Sequence, residues 1–91
     1  MNRATVQFYR SAFDNLVTGL YEFQRAYKKE FPDGTSLAED EVIGAEFQKA
    51  CRGIIGMLNC APQEIDRGKI DAKVRQIAER AGFTEDLDDP R

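Results

Sequence analysis

The chain holds few residues able to do covalent chemistry. Histidine is absent, which removes the commonest general base and the commonest transition-metal ligand. Serine occurs only as Ser11 and Ser36. Two cysteines, Cys51 and Cys60, fall nine residues apart on one predicted helix. At a rise of about 1.5 Å per residue their backbones stand roughly 13 Å apart, beyond the reach of a disulfide. They read as free thiols of an apolar core, suited to a reducing compartment. Carboxylates cluster at Glu39, Asp40, Glu41 and Glu46. Bundles that hold two metals with such groups use Glu-x-x-His pairs, which this composition forbids. The plainer role of those acids is a favourable first helical turn. No glycine-rich phosphate loop follows a strand. We therefore expect no enzyme, no cofactor and no bound metal.

What remains is recognition chemistry. Tyr21, Arg25, Tyr27, Lys28 and Lys29 place aromatic and basic groups together at the end of the first helix. Lys28 and Lys29 also suit the negative end of the helix dipole. Arg67, Lys69, Lys73, Arg75 and Arg80 populate the third helix, interleaved with acids that include an Asp71–Arg75 pair at i, i+4. Aromatic rings beside cations can stack bases and hold phosphates. Solvated salt-bridge decoration is the simpler use of the same residues.

The elements that must carry these groups are helices. Val6, Tyr9, Phe13, Leu16, Leu20, Phe23 and Tyr27 follow one another at alternating steps of three and four. That rhythm lays one seam of a helix against other helices. Thr5, Ala12, Gly19 and Ala26 form a column of small residues beside it, which lets a neighbouring backbone come close. Phe8 and Tyr21 fall off the seam and are expected as exposed aromatic contacts. The first helix should run from Ala4 to Phe31, where Pro32 and the Asp33-Gly34 pair end it. A capping box, Ser36 with Glu39, predicts the start of a second helix. Its seam is Ile43, Phe47, Ala50, Ile54 and Met57, with a second stripe, Cys51, Ile55 and Leu58, in its later half. Gly53 and Gly56 inside that helix imply close packing on another helix. Pro62 is a favoured first residue for a third helix, with Ile70, Val74, Ile77 and Ala81 on its seam. Gly82-Phe83 predicts its end in a left-handed cap.

The fold class is therefore all-α: an elongated antiparallel helical hairpin with a third, shorter helix, a three-helix bundle. Residues 1–83 form a single helical domain, and 84–91 are expected as a disordered acidic tail. The four acids and one arginine of that tail equal the whole net charge of −3, so the body is near neutral. No large one-signed field is available to draw in DNA or an anionic membrane. No apolar run approaches the roughly 20 residues of a membrane span, and no apolar signal core precedes the heptads.

Length predicts which end is left bare. The first two helices, about 28 and 24 residues, span roughly 42 and 36 Å, whereas a compact chain of this size is near 31 Å across. Either Gly19 kinks the first helix or the molecule is a rod. A third helix of about 20 residues, roughly 30 Å long, should stop short of the far end. Phe23, Tyr27, Phe31, Leu37, Val42 and Ile43 would then form an apolar tip, which is usually an interface.

We expect from this a small non-catalytic cytosolic protein that binds and occludes a macromolecular partner, and that forms a homodimer. Its size suits an inhibitor, an immunity-type neutraliser or an adaptor of bacterial or phage kind. Tyr21, Arg25, Tyr27, Lys28 and Phe31 are the expected partner-binding residues. The alternative is a nucleic-acid or nucleotide binder using the same patch with the third helix's basic residues.

Overall fold

A computed structural model describes residues 2–84 as three helices packed on one another. The expected acidic tail falls, apart from Thr84, outside the described residues. Helix α1 is Arg3–Glu30. Asn2 caps it, its side-chain oxygen accepting from the Thr5 amide at 2.8 Å. At the other end the Phe31 amide closes on the Tyr27 carbonyl. The helix runs unbroken through Gly19, and the molecule measures 48 × 28 × 18 Å, so the rod alternative holds.

Helix α2, Ile43–Asn59, runs back along α1: Phe23 stacks on Phe47, and Tyr9 shares a hollow with Met57. Helix α3, Arg67–Arg80, then runs parallel to α1: Arg10 sits beside Lys69, and Tyr21 beside Arg80. It packs against both other helices. The stripe Cys51, Ile55 and Leu58 is deeply buried with Val74 and Ile77 of α3, which explains its appearance in one half of α2. Gly82, at φ +98°, ends α3 as expected. The Phe83 amide bonds the Ala78 carbonyl and the Gly82 amide the Glu79 carbonyl, the paired bonds of a left-handed helix stop.

Two helix starts and one surface differ from expectation. The second helix does not open at Ser36. Residues Leu37–Glu39 make one 3-10 turn, and Asp40 is extended. The Asp40 carboxylate accepts from the amides of Val42 and Ile43 at 3.0 and 2.9 Å, and its carbonyl accepts from Gly44. Asp40 therefore outcompetes Ser36 as the cap, and α2 has 17 residues. Pro62 does not start α3 either. It closes a turn onto the Ile65 amide that buries Ile65, and α3 begins at Arg67 with 14 residues.

The apolar tip is the third correction. The end of α3 reaches it after all, because the segment between α1 and α2 folds down onto that end instead of prolonging α2. The Ala38 amide bonds the Ala81 carbonyl at 3.0 Å, and Phe83 stacks on Phe47. Leu37 and Tyr27 are only 2% and 8% exposed. Phe31, Val42 and Ile43 stay exposed at the rim. The heptads also divide. Phe13, Leu20 and Tyr27 are core, while Tyr9, Leu16 and Phe23 remain half exposed on the side of α1 that faces α2.

The cysteines divide as well: Cys51 is buried and Cys60, expected in the core, is exposed. Both are free, and burial pushes the Cys51 thiol up to about 11. A maleimide should thus label native protein once, at Cys60, and reach Cys51 only after denaturation. Two fast-reacting thiols in a mass-spectrometric time course would contradict this packing.

Candidate binding groove along α1 and α3

On α3, the seam residues Ile70, Val74 and Ile77 face the core. Lys69, Lys73, Gln76 and Arg80, at steps of four, three and four, therefore lie along one flank of that seam. On α1, Asp14, Tyr21 and Lys28 recur every seven residues on the flank that faces them. The two flanks enclose three hollows in a row. The first, about 290 Å³, holds Arg10, Asp14, Asp66, Lys69 and Lys73. The second, about 270 Å³, holds Tyr21, Lys73, Gln76 and Arg80 over a floor of Val17 and Ile77. The third, about 200 Å³, holds Lys28 and Phe31 with Arg80. Lys73 joins the first hollow to the second, and Arg80 joins the second to the third. The result is one continuous groove.

Its cations are largely uncommitted. Lys28, Lys69, Lys73 and Arg80 join no ion pair among the described residues. The expected Asp71–Arg75 pair does form, at 2.8 Å, outside the groove. Arg10 is partly engaged, donating to the Glu64 carbonyl at 3.2 Å and so strapping α1 to the turn before α3.

Of the five expected contact residues, Tyr21, Tyr27, Lys28 and Phe31 line the groove. Arg25 is exposed one turn beyond Tyr21. Tyr27 reaches the third hollow from the core: it is 8% exposed, its ring is tilted against Phe31 at 4.8 Å and its hydroxyl donates to Asp40 Oδ2 at 3.0 Å. The contact set missed Lys73 and Arg80, which carry the groove's continuity. Their spacing beside Ile70, Val74 and Ile77 was the available signal.

The Tyr27–Asp40 bond ties α1 to the cap of α2 at the groove's end. The amides of Ile43 and Val42, then the Tyr27 hydroxyl, hold the Asp40 carboxyl below its ordinary 3.8. Its stabilising effect is therefore complete above the unfolded value of about 3.9 and is lost as pH falls through the folded one. Burial, then the bond to Asp40 and its charge, raise Tyr27 above 10.0, so that contribution is lost as pH rises through the raised value. Asp40→Asn should lower the melting temperature at neutral pH and flatten its decline in acid. An acid limb of unchanged steepness, followed by circular dichroism, would show that this carboxylate is not a linked group.

No family model, curated protein or solved structure matches this chain. Among the described residues, no helix is long and apolar enough to cross a membrane. The groove's own chemistry is the guide. Exposed cations, one half-exposed phenol ring and an apolar floor can hold an extended or helical anionic segment by charge-assisted hydrogen bonds.

Proposed function

We propose that this is a non-catalytic binding protein that grips an acidic segment of a partner protein along the α1–α3 groove and occludes it. Inhibitor, immunity-type and adaptor roles all fit that description. The observation that carries it is the alignment of Lys28, Lys69, Lys73 and Arg80, all without ion-pair partners among the described residues, in one continuous groove with Tyr21. Cations without ion-pair partners among the described residues are available for a partner's carboxylates. Asp14 and Asp66 interrupt the basic track at one end, which suits the mixed charges of a protein surface better than a uniform phosphate chain. Free thiols at Cys51 and Cys60 favour work in a reducing interior such as the cytoplasm.

The second reading is a single-stranded nucleic-acid binder. Tyr21 favours it, because its ring shares a hollow with Lys73 and Arg80 and could stack a base between two phosphate contacts. Fluorescence anisotropy separates the two. A labelled Glu-rich peptide should bind saturably and weaken with salt, while an oligonucleotide of equal charge binds less tightly. Tighter binding of the oligonucleotide would move the assignment to the second reading. Flat curves with both probes at low salt would remove both.

A further inference from the structure

We infer that the α1–α2 face, on the flank of α1 away from the basic groove, closes on a second copy of this chain to give a two-fold dimer. Tyr9, Leu16 and Phe23 of α1, with Ile43 and Met57 of α2, are large apolar side chains that remain 39–52% exposed. They recur at steps of seven on α1, forming one continuous ridge, while Ile43 and Met57 mark the ends of a second, broken ridge on α2 whose middle positions are Glu46, Ala50 and Gly53. Between the ridges near Met57 lies an apolar hollow of about 570 Å³, lined also by Phe8 and Gly56. Complete burial of these ridge residues and Phe8 would remove about 550 Å² per protomer, or about 1,100 Å² for two copies, just above the roughly 1,000 Å² a specific interface needs.

Three features select a second copy as the occupant. First, charge: Tyr9, Ala12, Leu16, Gly19, Phe23 and Ala26 give α1 a stripe without an ionisable group near neutral pH. A two-fold axis sets like against like, so a neutral stripe meets itself without repulsion. On α2 the stripe carries one acid, Glu46, whose carboxylate is paired with Lys49 at 3.3 Å. Second, symmetry: Tyr9 and Phe23 are equally spaced about Leu16. An antiparallel approach of two α1 helices centred there sets each Tyr9 against Phe23 of the partner subunit. Leu16 then faces the shallow ground between Ala12 and Gly19. Third, the glycines: a methyl group added at Gly19, Gly53 or Gly56 would meet nothing within 4 Å among the described residues. Each costs up to about 1 kcal/mol of helix stability relative to alanine, and no contact within one copy explains it. Close approach of another helix does.

Sedimentation equilibrium tests this. The wild-type chain should sediment at twice its chain mass. Leu16→Glu should raise the dissociation constant at least about 100-fold by setting two unpaired carboxylates at the seam, while helical circular dichroism is unchanged. Gly19→Arg should do the same. Its new side chain enters open space in the protomer, so it keeps the test valid if Leu16→Glu fails to fold. Lys73→Glu, in the other groove, should remain dimeric. A wild-type monomer at the highest soluble concentration would overturn the inference. So would a dimer that survives Gly19→Arg, or an assembly larger than two, because this face closes on itself.

Discussion

Gly44→Ala is expected to destabilise the fold by roughly 2–4 kcal/mol, through overpacking against backbone that cannot move aside. A Cβ at that position collides with the carbonyl oxygen of Leu37 and lies 3.3 Å from its carbon. Leu37 is held from both sides. Its side chain is buried, and the next residue's amide is bonded to Ala81 at the end of α3. Gly44 is equally fixed, since its own amide bonds the Asp40 carbonyl that starts α2. Relief would require the 3-10 turn to lift off the core and expose Leu37. For a domain of this size the loss corresponds to a fall in melting temperature of about 10–25 °C. Gly68→Ala, in α3, is the matched control. It adds the same methyl to a helical glycine facing open space, and should raise stability by up to about 1 kcal/mol. Urea unfolding of both variants checks the pair. Equal effects would mean that the segment before α2 does not rest on Gly44.

Reversing two charges in the groove is the larger functional effect. Lys73→Glu with Arg80→Glu should weaken binding of an acidic peptide by about 100- to 1,000-fold, since hydrogen bonds to charged groups contribute about 1.5–3 kcal/mol each and repulsion is added. Both side chains are exposed on α3, so the melting temperature should barely change. These two residues are decisive because each belongs to two of the three hollows. Lys49→Ala, on α2, lies outside the groove and should leave affinity within about twofold, as expected for an exposed pair of small energy. Anisotropy with the peptide at low salt reads all three proteins. A double variant that binds as the wild type does would place the contact elsewhere.

The reach of the sequence depended on how local each determinant is. Helix α1 was legible to within one residue, because its heptads and Pro32 act within a turn or two. The stop at Gly82-Phe83 was legible for the same reason. The start of α2 was not. Ser36 with Glu39 and Asp40 with Val42 are both plausible caps on local grounds. The choice between them is made by Ala81, more than 40 residues away in the chain, whose carbonyl captures the Ala38 amide. The burial of Tyr27 follows from that choice, since Asp40 then stands where the phenol can reach it. Phe31, one turn on, escapes burial because the chain turns away at Pro32. The groove was half legible. Tyr21 and Lys28 could be named, and the basic residues of α3 could be counted. That the two sets face each other required knowing that α3 runs parallel to α1 and on which flank it lies.

Amide chemical-shift mapping with a Glu-rich peptide is the most direct measurement of where this protein makes contact. Peptide-dependent shifts should concentrate at Tyr21, Lys28, Lys73, Gln76 and Arg80, saturate together and fade with added salt. Shifts confined to Leu16, Phe23 and Met57 on the opposite flank, or none at all at low salt, would contradict the α1–α3 groove as the binding surface.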